Sequence, residues 1–108
     1  MLTDEMPLGD ATFRALADKT RRDILQMLRD GPLTSGEIAS RCASSWSTVS
    51  RHLAVLREGG LVISERRGQE IVYELDTTVF QDLVQHLMEW RQRRRRRRAH
   101  RPARQQEA

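Results

Sequence analysis

The sequence is short of cysteine and of long apolar runs. Its 108 residues include one cysteine, Cys42, which excludes an intrachain disulfide and a zinc site with several thiolates from one chain. A lone cysteine is more often a small buried hydrophobe than a reactive group. No apolar run approaches the roughly 18 residues of a membrane span, and the acidic amino terminus is unlike a signal peptide. We therefore expect one cytoplasmic domain without membrane insertion.

Acidic residues are nearly missing from the end of the chain. Residues 91–108 contain nine Arg and one Glu, so the net charge of +4 combines a tail of +8 with a body of −4. Two interpretations of the tail are open: a solvated, disordered extension, or a phosphate grip that raises affinity for any DNA through counterion release. We favour the grip because the negative body alone would be repelled by DNA. RNA or an anionic lipid surface could bind the same tail.

Catalytic patterns are missing as well. The sequence shows neither a glycine-rich phosphate loop nor a pair of carboxylates arranged for acid–base chemistry. Ser50 and His52 lie two positions apart on a predicted helix, where their side chains do not face each other. We therefore expect neither an enzyme nor a bound cofactor.

What the sequence has instead is a series of helix-start signals. The capping-box spacing occurs at Thr20–Asp23, Thr34–Glu37 and Thr78–Gln81, and Asp10 is expected to cap an earlier helix. Apolar residues follow each start at helical spacing. In the first three helices they are Phe13, Leu16 and Ala17, then Ile24, Leu25 and Leu28, then Ile38, Ala39 and Cys42.

A longer fourth helix is predicted from Ser45 to Glu58, followed by a hairpin. Gly59 and Gly60 end the helix, one of them with a positive φ. The apolar and β-branched segments 61–66 and 70–75 flank a turn at 67–69, which predicts two antiparallel strands. The apolar face of the helix consists of Val49, Leu53 and Leu56.

The fifth and last helix is too hydrophobic for a surface exposed to water, so something must cover it. Beyond Trp90 the Arg-rich run has no apolar stripe, and we expect it to be frayed or disordered. The chain thus divides into an arm at 1–9, a mainly α domain with a small β-hairpin at 10–90, and a tail at 91–108. The apolar residues of the last helix are Val79, Phe80, Leu83, Val84, Leu87, Met88 and Trp90.

The fourth helix has the division of residues that a DNA recognition helix needs. Ser47, Thr48 and Ser50 offer short donors near its amino terminus, which can enter the major groove while the apolar face packs on the preceding helices. Arg51 can pair with guanine or clamp a phosphate, and His52 is expected to contact the DNA backbone.

At this helix the sequence resembles the ArsR-type winged helix-turn-helix repressors of bacteria. The family pattern S-x-x-T-V-S-R-H-L-x-V-L-R-x-x-G-L-V is present from Ser45 to Val62. The pattern L-A-D-x-T-R-R-x-I-L-x-x-L is present from Leu16 to Leu28, with Lys19 in place of the usual proline. The segment L-D-T-T-V-F-Q-D-L at Leu75–Leu83 resembles the SdpR-like autorepressor subgroup.

The resemblance implies a homodimer that occludes a pseudo-palindromic operator, with the hairpins as wings that contact the flanking DNA backbone. The dimer is expected to leave the operator when a protein partner binds it or when its own concentration falls. It also implies that the first and last helices form the dimer interface. The implied interface residues are Phe13, Leu16, Phe80, Leu83, Val84, Leu87, Met88 and Trp90. The expected DNA contacts are Thr34, Ser35, Ser45, Trp46, Ser47, Thr48, Ser50, Arg51 and His52 in the helices, and Arg66, Arg67 and Gln69 in the wing.

Two positions depart from the family pattern. Trp46 stands where a polar, base-contacting residue is usual, and Ser44 stands where an apolar residue usually packs. Two interpretations of Trp46 are open: contact with a sugar or a thymine methyl, or packing against Cys42 in the core.

The chain is not typical of the family's metal or thiol sensors. The metal-sensing members carry a thiol pair in the third helix, where this chain has only Cys42. Asp82, His86 and Glu89 share one face of the last helix and could offer ligands, but the further ligands of such sites are missing. We therefore expect His86 to be part of the dimer interface and no metal to be bound.

A second class of function fits the same fold. The domain could be a protein–protein interaction module or antirepressor whose Arg tail binds nucleic acid without sequence preference. Exposed hydroxyls and cations on the recognition helix and wing favour DNA, and Trp46 is the one residue that favours protein.

Overall fold

The computed structural model of the protein describes residues 9–99. The arm expected at 1–9, apart from Gly9, and the end of the chain at 100–108 lie outside the described residues. Within residues 9–99, no helix has the length and apolar character needed to cross a membrane. In chain order the elements are α1 (Asp10–Leu16), α2 (Lys19–Met27), a 3-10 turn (Leu28–Asp30), β1 (Leu33–Thr34), α3 (Ser35–Ser40), α4 (Trp46–Glu58), β2 (Val62–Arg67), β3 (Glu70–Leu75) and α5 (Thr77–Ala99).

The expected capping boxes of α2 and α3 had different outcomes. The box at Thr34–Glu37 is confirmed, because Thr34 Oγ1 accepts from the Glu37 N–H at 3.1 Å and Glu37 Oε1 accepts from the Thr34 N–H at 2.8 Å. The box at Thr20–Asp23 is wrong, because Asp18 caps α2 and its Oδ2 accepts from the Arg21 N–H at 3.1 Å. The partial positive charge at a helix amino terminus favours a carboxylate there, so Asp18 rather than Thr20 sets the start of α2.

The outer helices also begin differently from the expectation. Asp76 Oδ1 accepts from the Thr78 N–H at 3.1 Å, so α5 starts before the expected box at Thr78–Gln81. Asp10 is the first helical residue of α1, and Gly9 holds the cap position without a side-chain bond. The expected apolar face of Phe13, Leu16 and Ala17 is wrong in α1, whose buried residues are Thr12 and Ala15.

The hairpin belongs to a three-stranded antiparallel sheet in the order β1-β3-β2. Arg67 pairs with Glu70, which leaves Gly68 and Gln69 as a two-residue turn. Gly68 has a φ of 62°, the positive value that tight hairpin turns require. β1 was not predicted, because two residues are too few to show a periodic pattern.

One core joins α2, α3, α4 and the sheet, and the expected inner face of α4 is confirmed. Val49, Leu53 and Leu56 are each at most 1% exposed. Burial of such side chains contributes about 1.5–3 kcal/mol each. The remaining core residues are Ala15, Ile24, Leu25, Leu28, Ile38, Leu61, Val62, Tyr73 and Val79.

The end of α4 is fixed against α1. Gly60 takes a φ of 76°, which confirms the expected glycine stop. The Thr12 hydroxyl donates to the Gly59 carbonyl at 2.7 Å in a buried contact. Gly59 packs so closely on α1 that a Cβ there would lie 2.9 Å from the Ala11 carbonyl oxygen. α4 is therefore held at its carboxyl end by α1.

α5 is longer than the sequence predicted. It joins the core through Val79, and Phe80 packs against the core edge. The expectation of disorder after Trp90 is wrong as far as Ala99, because the helix continues through the Arg-rich run. Arginine is a good helix former, and positive charge is favoured at a helix carboxyl end, so the run supports the helix.

Candidate nucleic-acid interface

The amino terminus of α4 is built around the hydroxyl of Ser45. Ser45 Oγ accepts from the Thr48 N–H at 3.3 Å and donates to Thr48 Oγ1 at 3.0 Å. The hydroxyl of Ser47 lies 3.3 Å from the same oxygen. This end of the helix faces solvent, and its free backbone N–H groups and helix dipole favour a phosphate or another acceptor.

The outer face of α4 is polar and small. Ser47, Ser50 and Arg51 are all exposed, and their spacing of three and four residues places them on one face. Val49 and Leu53 on the opposite face are buried. The helix can therefore approach a groove closely with short hydroxyls while its other side stays packed.

Trp46 is the first residue of α4 and is 55% exposed. Packing of Trp46 against Cys42 as core, one of the two open interpretations, is therefore wrong. Cys42 is itself half-buried, and burial together with the negative charge of Asp23 raises the pKa of its thiol. A raised pKa disfavours the reactive thiolate at neutral pH.

His52 faces inward, where the sequence predicted a contact with the DNA backbone. Its side chain is 13% exposed, and its Nδ1 lies 3.2 Å from Arg21 Nη1. Because arginine can only donate, Nδ1 accepts. Arg21 also donates from Nε to the Ala15 carbonyl and from Nη2 to the Arg14 carbonyl, both at 2.9 Å. His52 thus ties the middle of α4 to the end of α1, which argues against a direct DNA contact.

Asp18 completes this cluster beside α4. The hydrogen bond from the Arg21 N–H lowers the pKa of the Asp18 carboxyl, against a smaller opposing effect of desolvation, and the positive charge of Arg21 lowers it further. The same carboxylate caps α2, and its Oδ2 lies 3.9 Å from His52 Nε2 on α4. Asp18 therefore contacts the start of α2 and also faces α4. Sequence reasoning missed Arg21, and the local pattern carries no signal for a contact across 31 residues.

The expected wing residues are exposed at the tip of the hairpin. Arg66 and Arg67 are consecutive in β2, so their side chains leave opposite faces, and Gln69 lies in the turn. Arg67 Nη2 lies 3.3 Å from Glu65 Oε1, but an exposed ion pair of this kind contributes little and does not prevent a phosphate contact. The wing therefore offers cations in two directions.

Thr34 and Ser35 lie at the start of α3 and are both half-buried. The oxygen of Thr34 already accepts the cap bond of α3. A DNA contact by either residue stays a prediction.

The possible ligands on α5 take up other contacts. His86 Nδ1 lies 3.7 Å from Glu89 Oε1, and the His86 ring stacks on Trp90 with centroids 6.3 Å apart. Within residues 9–99, no three His, Cys, Asp or Glu side chains are grouped as a metal site.

The short helices, the exposed amino terminus of α4 and the basic hairpin tip define a winged helix-turn-helix DNA-binding domain. A family model described as a helix-turn-helix domain matches residues 16–65. The transcriptional repressor SdpR of Bacillus subtilis is 40% identical over 76 residues, which cover 70% of this chain and 84% of SdpR. The chain belongs to the ArsR family of transcriptional regulators, as the sequence resemblance predicted.

Two further proteins are similar to this chain. The transcriptional activator HlyU of Vibrio cholerae is 39% identical over 75 residues, which cover 69% of each chain. The solved structure of an ArsR-like transcriptional regulator from Rhodococcus sp. RHA1 aligns with a TM-score of 0.77 at 28% identity and covers 92% of both chains. The winged helix-turn-helix prediction is confirmed, and these relatives are DNA-binding regulators rather than enzymes.

Proposed function

We propose that the protein is a cytoplasmic homodimeric repressor that covers a pseudo-palindromic operator, including one in its own promoter. The observation that carries this proposal is the exposed face of Ser47, Ser50 and Arg51 at the amino terminus of α4. In helix-turn-helix proteins this part of the recognition helix contacts base edges. SdpR, which is named a repressor, supports the direction of regulation.

The exposed apolar residues of α5 support a homodimer. Val84 is 57% exposed, and Leu87, Met88 and Trp90 are also exposed on this helix. Phe13 on α1 is exposed as well. A second copy of the chain would remove this apolar surface from water, with Leu16, Phe80 and Leu83 at its edge.

The proposed DNA contacts come from α4 and the wing. Arg51 contacts a base edge or a phosphate, the hydroxyls near Ser45 bind backbone oxygens, and Trp46 contacts an apolar part of the groove. Arg66, Arg67 and Gln69 grip the flanking backbone. His52 is mostly buried, so it contributes to DNA binding by fixing the position of α4 rather than by a direct contact. The dimer represses by occluding the promoter, and release follows from a protein partner or from a falling concentration.

The test is a titration of the protein against a duplex from its own promoter and a scrambled duplex, at two salt concentrations. We expect binding with dimer stoichiometry and a preference of about 10³-fold or more for the promoter. Arg51→Ala should lower promoter affinity by about 1–3 kcal/mol, whereas Arg29→Ala, an exposed arginine on the 3-10 turn, should not. Equal affinity for both duplexes would refute sequence-specific repression.

The second candidate function is a protein-interaction module, which the exposed indole of Trp46 favours. It predicts no promoter preference in the same titration. HlyU is named an activator, so a transcription assay on the bound promoter is needed to decide the sign of regulation. A rise in transcription on addition of the protein would contradict repression.

A further inference from the structure

One face of α5 changes its chemistry halfway along the helix. The first half of this face is apolar and belongs to the proposed dimer surface. The second half is cationic, because the helix continues without a break to Ala99. The row continues in steps of three and four residues through Phe80, Val84, Leu87, Arg91, Arg94 and Arg98.

The cationic half of this face carries four neighbouring arginines. We call it the Arg face and define it by these residues, which are Arg91, Arg94, Arg95 and Arg98. Arg93 and Arg96, on another side of the helix, lie near the carboxylate of Glu89, which would repel a phosphate. An anion should therefore prefer the Arg face.

The spacing of charge along the Arg face is close to the phosphate spacing of one DNA strand. The four arginines of this face lie within residues 91–98. An α-helix rises about 1.5 Å per residue, so the Arg face carries about one positive charge per 3 Å of the helix axis. Along one strand of duplex DNA there is one negative charge per about 3.4 Å.

The composition of the segment favours DNA over the other polyanions. Residues 91–98 offer no apolar side chain to insert into a bilayer, which a membrane-surface helix requires. If α4 holds DNA as proposed, the phosphates next to that site are present at a high effective concentration around the same chain.

We propose that the Arg face is a second DNA-binding surface, which contacts the phosphate backbone without sequence preference. This inference rests on the proposed function, since α4 must bring the DNA. The surface adds affinity for every duplex and leaves the choice of operator to α4 and the wing. It also offsets the net negative charge of residues 1–90 during approach to DNA.

The test compares two full-length variants that lose the same charge. The first, Arg91→Gln/Arg94→Gln/Arg98→Gln, removes most of the Arg face. The second, Arg93→Gln/Arg96→Gln/Arg97→Gln, is the matched control on the rest of the helix. Glutamine keeps a good helix propensity, and circular dichroism and sedimentation check the helix and the dimer.

The measurement is the affinity for the scrambled and promoter duplexes between 50 and 200 mM salt. Six lost phosphate contacts per dimer should flatten the slope of log K against log salt by about five in the first variant. The control should flatten it less, and the promoter preference should be unchanged in both.

A wild-type slope in the first variant, or the same flattening in both variants, would overturn the proposal. Weaker dimerisation of the first variant with an unchanged slope would do so too, since it would assign the Arg face to a contact between subunits. The scrambled-duplex slope tests this surface even if the wild-type protein shows no promoter preference, which is the result that defeats the proposed function.

Discussion

Replacement of Gly59 by alanine probes the contact between α1 and the recognition helix. The added Cβ would lie 2.9 Å from the Ala11 carbonyl oxygen, 3.2 Å from Thr12 Cα and 3.1 Å from Ala15 Cβ. Two of these atoms belong to the backbone of a helix, so they cannot rotate away as a side-chain tip could. α1 must therefore shift as a body, and the Thr12 hydrogen bond to the Gly59 carbonyl must lengthen.

The magnitude follows from two opposing effects. Overpacking of this kind costs about 1–3 kcal/mol. The backbone of Gly59 has a φ of −77°, which alanine adopts without strain. Alanine lowers the conformational entropy of the unfolded chain, and this stabilises the folded protein by about 0.4–1 kcal/mol. We expect Gly59→Ala to lower the free energy of unfolding by about 1–2 kcal/mol.

Urea unfolding at a fixed protein concentration measures this loss. The midpoint should fall by about 0.5–1 M, given the usual denaturant sensitivity of small domains. The control is Gly36→Ala in α3, where the nearest atom to the new Cβ is Thr34 Oγ1 at 3.9 Å. That variant should be as stable as the wild type or slightly more so. A Gly59→Ala protein with the wild-type midpoint would refute the argument from close approach.

Three further predictions concern single side chains. Thr12→Val removes the buried hydrogen bond to the Gly59 carbonyl and should cost about 1–2 kcal/mol in thermal unfolding; a melting temperature equal to that of the wild type would contradict this. Asp18→Asn keeps a capping side chain but loses the carboxylate. Because the folded pKa of Asp18 is lowered, its stabilising effect is present above the unfolded value of about 3.9 and disappears as the pH falls through the folded value. The stability gap between wild type and Asp18→Asn should therefore close on acidification from pH 6, and a constant gap would count against the charge effect. Replacement of a contacted thymine by deoxyuridine removes one methyl and should weaken wild-type binding about fourfold but leave the binding of Trp46→Ala unchanged. Equal losses in both proteins would show that Trp46 does not contact that methyl.

The parts of the fold that sequence predicted are those that neighbouring residues determine. The inner face of α4 follows from the spacing of Val49, Leu53 and Leu56, and the start of α3 follows from Thr34 and Glu37. Each pattern is complete within one element, so no knowledge of the rest of the chain is needed.

The parts that sequence missed depend on contacts between distant segments. Thr12 meets Gly59 across 47 residues, and Arg21 meets His52 across 31. His52 was expected at the DNA because its position on the helix was known but its neighbour was not. The exposure of Trp46 could not be predicted either, because both of its interpretations fit the same local sequence.

The two attachments of α4 to α1 also bear on which operators the protein can use. α4 is joined to α1 at its middle through Arg21 and at its end through Gly59, while Phe13 on α1 belongs to the proposed contact between subunits. The helix that contributes to the proposed subunit contact is thus attached to the proposed recognition helix. If the proposed dimer forms, these attachments fix the separation of its two recognition helices, so operators whose half-sites are moved apart by about one or two base pairs should be rejected although every base in them is correct.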